Sequence, residues 1–538
     1  MAHPLVRKLK MNIFHKIGLY LRTLRYLKPV QITNRLKRKC FPAKADLSPA
    51  PPLRAFDINE LHYIPRRKSI LSHNRLHFLN IEGVLDFPEG WNEQSYPKLW
   101  LFNLHYFEGL LNDETSVELK SGLIEQWIED NPPVRGNGWE PYANSLRIVC
   151  WIKWALNGNG LSKTAIQSLA VQSRYLMETL EYHLLANHLF VSLKGVIFAG
   201  CFFRGEEADR WLDICLKEMD KQISEQFLAD GAHFELSPAY HALLTEDLLD
   251  IINILSAFGK EVPERWLRVV QKGLEWQQII TRPDGLPPLF NDAAYGISPS
   301  LQSLLAYAEK LGISHIVKQN EGFQLLEESG YFRFDGEDYT ILGDVGQIGA
   351  PYQPAHVHCD MLNFELFIKG NPFIVDTGTS TYDLGFRRNL ERGTQAHNTV
   401  QILGYEQSEV WGRFRVGRRA RLVDRVVSGN TIKASHDGFN NVGATVTRKF
   451  KLEDSSLQIE DLITGYVGVA VSRIHFHPNV TVKIEGDIIQ AGSIIIKLKN
   501  FTAAQIKDYE YAPEFNKRIT AKVLEVEFKG ALIIEFKL

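Results

Sequence analysis

The sequence predicts a multidomain α+β protein: a helical (α/α) toroid, an incomplete helical barrel, at residues 96–325, then an antiparallel β-sandwich at residues 326–538. Three observations predict it. Apolar residues recur at helical spacing through the first part of the chain. Short β-rich runs divided by turns replace them after about residue 330. Nine of the ten tryptophans, Trp91 to Trp276, precede that change, and Trp411 alone follows it.

Taken in order, residues 1–95 read as a basic amino-terminal helix at Ile13–Tyr26 and an irregular connector with Pro49, Pro51, Pro52 and Pro65. Helical periodicity covers 114–130, 141–157, 185–203, 206–229, 263–280 and 299–312. It also links Ile166, Leu169, Leu176 and Leu180, and Leu243, Leu248, Leu249, Ile252 and Leu255. Breaks such as Asn157-Gly-Asn-Gly160 and Arg282-Pro-Asp-Gly285 separate the helices. Consecutive helices with short connections pair antiparallel, and the lack of a fixed-period repeat favours a toroid over a solenoid. The β-rich runs include Tyr339–Leu342, Phe364–Ile368, Arg413–Val416, Ile474–His477, Ser493–Leu498 and Ala531–Phe536, divided by turns such as Ser428-Gly-Asn430.

The composition, 45% apolar and 23% charged over 538 residues, excludes a disordered, collagen-like or disulfide-framework chain. A net charge of −2 argues against nucleic-acid binding through bulk charge, and no nucleic-acid partner is expected. The balance is uneven, since residues 1–45 hold twelve Lys/Arg and no acid, leaving 49 basic against 63 acidic residues, or −14, in the remainder. Two readings of the basic segment stay open: contact with a membrane surface, or packing on the acidic body of the same protein. No run approaches the roughly 18 apolar residues of a transmembrane helix. No signal-like apolar core is visible, so the expected location is cytoplasmic, or periplasmic if the true start lies upstream. Five scattered cysteines without ligand spacing read as free thiols.

Four polar clusters interrupt apolar runs: Asn187-His188 at a helix start; Asp230-Gly-Ala-His-Phe-Glu-Leu-Ser-Pro-Ala-Tyr-His241 at a loop-to-helix junction; His356-Val-His-Cys-Asp360, whose alternate residues would share a strand face; and Val375-Asp-Thr-Gly378 with Ala396-His-Asn398 beside β-runs.

With Leu24-Arg-Tyr-Leu-Lys-Pro29, Leu99-Trp-Leu-Phe-Asn-Leu-His-Tyr-Phe107, Gly138-Trp-Glu-Pro-Tyr142 and Ser145-Leu-Arg147, these clusters carry a resemblance. The chain resembles the heparinase II/III-like polysaccharide lyases over nearly its whole length. The resemblance implies β-elimination across C4–C5 of a uronic acid, in which the substrate carboxylate must be neutralised as a carbanion develops beside it. By resemblance Asn187 and His188 match the neutralising pair, Tyr240 the tyrosine acid or base, and His356 the partner base. His358, Asp376 and His397 match positions that bind a structural divalent metal, usually zinc, in some relatives, and two imidazoles with one carboxylate are a sound zinc set. No organic cofactor is implied. Glu140, Arg147, His241, Tyr382, Arg388 and Arg392 are candidate contacts to an anionic polysaccharide or oligosaccharide, since guanidinium forks suit carboxylates.

Competing readings are a C5-uronyl epimerase in exopolysaccharide or capsule metabolism, an (α/α)-barrel glycoside hydrolase using Glu235 and Asp292 as paired carboxylates, and a non-catalytic polysaccharide binder.

Overall fold

The computed structural model describes residues 13–56, 61–314 and 321–538. The first basic residues, Arg7, Lys8 and Lys10, lie outside that range. Helices α1 (Ile13–Leu24) and α2 (Pro29–Cys40) precede a hairpin of β1 (Arg75–Phe78) and β2 (Ile81–Val84). The segment expected to be one helix and an irregular connector therefore also holds α2 and this hairpin.

The toroid comprises α3 (Lys98–Tyr106), α4 (Val117–Asp130), α5 (Pro141–Trp154), α6 (Lys163–Glu178), α7 (Ala186–Phe202), α8 (Glu206–Gln226), α9 (Pro238–Ala257), α10 (Glu264–Ile280) and α11 (Leu301–Lys310). Local chemistry sets several starts. Ser116, Ser162 and Ser300 accept hydrogen bonds from the N–H groups of Leu119, Ala165 and Ser303 at the heads of α4, α6 and α11. Proline opens α5 and α9, where its missing N–H has no intrahelical partner to lose. The break at 157–160 is where expected, with Gly158 and Gly160 at φ 83° and 69°.

Helices α7 and α9 are buried on nearly every residue, which puts them at the toroid's centre. Gly195 of α7 permits that packing: a Cβ there would stand 2.9 Å from Leu176 Cδ2 and 3.1 Å from Ser145 Cα. Charges in this core are paired. Lys153 meets Asp250 at 2.7 Å, and Lys194 meets Asp247 at 2.6 Å and Asp250 at 2.5 Å. Tyr307 also donates to Asp250, at 2.8 Å, so this central carboxylate is held by Lys153, Lys194 and Tyr307.

The sandwich begins with an antiparallel five-stranded sheet of β3 (Gly322–Leu325), β4 (Tyr331–Asp335), β5 (Tyr339–Asp344), β6 (Phe364–Ile368) and β7 (Asn371–Ile374) in sequence order. After α12 (Phe386–Arg392) come β8 (Val400–Ile402) and a small hairpin of β9 (Val410–Trp411) and β10 (Arg415–Val416). The second sheet runs β11 (Leu422–Ser428), β12 (Thr431–Phe439), β13 (Ala444–Glu453) and β14 (Ser456–Thr464). It adds β15 (Ala470–His475), β16 (Val482–Glu485), β17 (Ile488–Ala491), β18 (Ile494–Glu514) and β19 (Lys517–Lys537). In space β14 pairs with β19, which pairs with β18 and β15, and β15 pairs with β8. Phe332, Phe334, Ile341 and Phe364 of the first sheet pack against Phe450, Ile459 and Ile534 of the second.

Toroid and sandwich share a further apolar cluster, in which Leu236, Trp276, Ile280 and Phe290 meet Tyr331, Leu342 and Phe367. Tyr331 donates to the Leu236 carbonyl at 2.6 Å and Trp276 Nε1 donates to Ser329 at 2.9 Å. The loop before α9 is thereby fixed against the sandwich. At the amino terminus, Arg22 of α1 forms a two-bond pair with Glu409 at 2.6 and 2.9 Å, and Trp411 Nε1 donates to Thr23 at 3.1 Å. Gln31 of α2 is buried and donates to the Leu184 carbonyl. One side of this basic segment thus packs on the body.

Candidate active site

The site forms where the start of α7, the loop before α9 and the first sandwich loops converge. Leu185 and Ala186 enter α7 with positive φ, 63° and 51°, a conformation that costs about 1–3 kcal/mol per non-glycine residue and concentrates at functional sites. This turn places Asn187 as the second helical residue. Its carboxamide does not cap α7. The cap is Glu235 from the loop before α9, which accepts from the Asn187 backbone N–H at 3.1 Å and from Nδ2 at 2.9 and 3.0 Å on its two oxygens. A carboxylate at a helix amino terminus is favoured by the unpaired N–H groups there. Leu236, next in the chain, also has positive φ, 54°.

His188 is the outward neighbour, with its side chain one-third exposed and Nδ1 bonded to Glu181 at 2.9 Å. Burial opposes charge on this ring, but the Glu181 carboxylate outweighs burial and the pKa lies above the usual histidine value. His188 is therefore inclined to be cationic, the state that suits a carboxylate neutraliser.

Tyr240, three residues into α9, is half-buried and stacks on His356 with ring centroids 3.7 Å apart. Its hydroxyl is 3.4 Å from that of Tyr382. Burial, reinforced by the neighbouring Tyr382 hydroxyl and the carboxylates of Asp292 and Glu235, pushes the phenol well above the ordinary tyrosine range. His356 lies between two carboxylates, with Nδ1 at 3.1 Å from Asp292 and Nε2 at 3.5 Å from Glu235. Glu235 thus touches both Asn187 and His356. Asp292 is fully buried, accepts His358 Nε2 at 2.8 Å, and is clamped by both terminal nitrogens of Arg388, Nη2 at 2.6 Å. Burial alone would raise the Asp292 pKa, but Arg388 and the two histidines hold it well below the carboxylate range. Asp292 is a positioning residue, fixing the tilt of His356 as a second carboxylate fixes a catalytic imidazole.

Several expected substrate contacts are structural. Arg147 is fully buried, bonding to Gln172, the Gly138 carbonyl and Asn144 at 2.7–2.9 Å and lying over Trp127. His241 is fully buried against the Gly273 carbonyl at 2.9 Å, and burial lowers its pKa to about 3. Arg392 is buried with its donors on the carbonyls of Val357 and Arg413. Arg388 serves Asp292 from full burial. Arg147 and Arg392 share one cause: a guanidinium at an element junction satisfies carbonyls the backbone leaves unpaired. Glu140, half-exposed and paired with Lys98, and Tyr382, beside Tyr240, stay near the cleft. A groove of about 690 Å³ is lined by Tyr96, Lys98, Asn137, Asp383 and Arg413, the last two being chain neighbours of Tyr382 and Phe414, which pack on each other. Sequence reading did not select Lys98 or Arg413.

His358, Asp376 and His397 come together as a hydrogen-bonded cluster. His397 Nδ1 meets Asp376 at 2.7 Å, and the two imidazoles lie 5.3 Å apart. His358 Nδ1 and His397 Nε2 are buried and lack hydrogen-bond partners, and burial lowers the His358 pKa to about 4, keeping it a neutral donor of electron pairs. Both rings are backed by a carboxylate on their other nitrogen, as metal-bound histidines usually are. Donor chemistry therefore fits a divalent ion, although among the described residues no three His, Cys, Asp or Glu side chains are arranged to chelate one.

Comparisons with known proteins agree with this architecture. The model of the heparinase II/III N-terminus matches residues 159–311, and that of the heparinase II/III-like C-terminal domain matches residues 318–537. A heparin-sulfate lyase of Bacteroides stercoris is 26% identical over 243 residues, 41% of this chain and 36% of that protein. The FtsZ-localized protein C of Caulobacter vibrioides is 23% identical over 405 residues, 68% of this chain and 66% of that protein. The chain thus spans about a third of the length of the first of these relatives. A crystal structure of heparinase III superposes with a TM-score of 0.73 at 15% identity, covering 94% of this chain and 88% of that one, which establishes the shared fold. Matched by both models across toroid and sandwich, the chain belongs to the heparinase II/III-like family.

Proposed function

We propose that the protein is a polysaccharide lyase that cleaves a uronic-acid-containing polysaccharide by β-elimination. The observation that carries this reading is the Tyr240–His356 stack beside Asn187. The uronate carboxylate binds at Asn187 and His188, where an amide and an imidazolium stabilise the charge that develops as the C5 proton leaves. His356 takes that proton, the C5–H electrons form the C4–C5 double bond, and the C4–O4 bond breaks. Tyr240, protonated through neutral pH, gives its proton to O4 and recovers one from His356 across the stack. A substrate carboxylate competes with Glu235 for the Asn187 amide. Lys98 and Arg413 add cations along the groove for further acidic sugars.

The heparin-sulfate lyases among its relatives support elimination over epimerisation. The hydrolase reading loses its basis at Asp292, which is clamped by Arg388 under full burial and cannot reach a glycosidic oxygen. Incubation with uronate polymers in buffer alone should yield products absorbing in the ultraviolet. Hydrolysis without unsaturation, or deuterium exchange at C5 without absorbance, would overturn the proposal.

A structural zinc or similar ion held by the free ring nitrogens of His358 and His397, with Asp376 orienting His397 from its Nδ1 instead of completing the ligand set, is part of the same proposal; it would tie the sandwich loops together and carries no step of the reaction. Support comes from the two unpartnered ring nitrogens. Protein purified without chelator or affinity-metal resin should contain close to one equivalent of metal, and His358→Ala should lose it with a lower Tm. Metal-free protein of unchanged Tm would leave a purely hydrogen-bonded cluster.

A further inference from the structure

Helix α1 has two faces. Toward the body, Leu19 is 4% exposed, Arg22 pairs with Glu409 and Thr23 accepts from Trp411. On the opposite side Ile17, Leu21 and Leu24, at i, i+4 and i+7, form one stripe that is 50%, 63% and 43% exposed. At 3.6 residues per turn, exposed Lys16 borders this stripe on one edge and exposed Arg25 on the other. Helix α2 repeats the pattern, with Ile32 43% and Leu36 59% exposed among exposed Arg35, Lys37 and Lys39. An apolar stripe edged by cations is the composition of a helix lying in a lipid interface.

We infer that α1, followed by α2, docks the protein peripherally on an anionic lipid surface. Charge selects the occupant. Residues 1–45 hold twelve basic residues and no acid, whereas the remainder carries −14, so an anionic bilayer attracts this end of the chain and repels the rest. The contact is interfacial, because among the described residues no helix is long and apolar enough to cross a membrane. The docked face also bears on the cleft. The β9–β10 hairpin sets Trp411 against Tyr20 of α1, with centroids 4.9 Å apart, and carries Phe414 to 6.1 Å from His356. A lipid surface at α1 therefore lies beside the rim of the active site and positions it over substrate near the bilayer.

The test is sedimentation of the full chain with vesicles of phosphatidylglycerol in phosphatidylcholine, compared with phosphatidylcholine alone. Binding to the anionic vesicles, weakened by salt, is expected. Ile17→Glu with Leu21→Glu should lower partitioning at least about tenfold, and Lys16→Glu about fivefold or more. These side chains are exposed, so Tm and activity on soluble substrate should not change; Ile17→Ser with Leu21→Ser is the milder second variant. Absent or lipid-independent binding, or binding unchanged in both double variants, would overturn the inference. So would an assembly of two copies in solution that the double variants dissociate, since the stripe would then be covered by another copy.

Discussion

Tyr240→Phe is expected to lower turnover on a uronate polymer by about 10²–10⁴-fold, the range of general acid–base catalysis, with little change in Tm. The structure separates the two effects. The ring holds the fold through its stack on His356 at 3.7 Å, and phenylalanine keeps that ring. The hydroxyl has only a long contact, 3.4 Å to Tyr382, so its loss leaves no short bond broken. What disappears is the proton for O4. Because burial first, and the nearby Tyr382, Asp292 and Glu235 next, keep the phenol protonated far above neutral pH, the wild-type residue is ready as an acid. The check is the initial rate of ultraviolet absorbance at saturating substrate, alongside thermal melting of both proteins. A phenylalanine variant with near-normal elimination would make Tyr240 a packing residue and end the mechanism proposed for it.

Much of the fold was legible because helical periodicity and capping chemistry agree along the toroid. The runs at 141–157, 185–203 and 263–280 became Pro141–Trp154, Ala186–Phe202 and Glu264–Ile280. Helix α3 was missed because Leu99-Trp-Leu-Phe-Asn-Leu-His is apolar on too many sides to show a period. The 21-residue strands β18 and β19 were visible only at Ser493–Leu498 and Ala531–Phe536. Elsewhere β18 exposes polar residues such as Thr502, Gln505 and Lys507, which blur the alternation.

At the site, the sequence exposed the residues whose types are chemically unusual within apolar runs, Asn187, His188, Tyr240 and His356, and the structure links Asn187, His356 and Tyr240 through Glu235 and the ring stack, with His188 held by Glu181. It could not tell which charged residues serve the backbone instead of a ligand. Arg147, Arg388 and Arg392 look alike in sequence, and only their burial distinguishes them from surface groups. Glu235 and Asp292, paired only in the competing hydrolase reading, take other places: the first caps α7 and holds the Asn187 amide, and the second positions His356. Asn291-Asp292 carried a faint signal, since asparagine tolerates positive φ and Asn291 indeed sits at 57° in the turn that delivers Asp292.

Asn187→Ala should lower kcat by about 10²–10³, the usual loss when one donor to a developing oxyanion is removed, and change KM much less. The amide interacts weakly with a ground-state carboxylate and strongly with the carbanion-stabilised one, so its contribution belongs to the transition state. The variant should fold. Alanine keeps the backbone N–H that donates to Glu235 at 3.1 Å, so α7 retains its carboxylate at the amino terminus. Asn187→Asp keeps the side-chain shape but sets a third carboxylate against Glu235 and the uronate. That like-charge contact should remove turnover more completely than alanine does, and should lower Tm because Glu235 is 2% exposed and cannot turn to water. Steady-state kinetics on one uronate polymer, with melting curves for both variants, distinguish the roles. A raised KM at unchanged kcat would make Asn187 a binding residue, and equal rates for the two variants would show that the carboxylate is neutralised elsewhere, with His188 the remaining donor beside it.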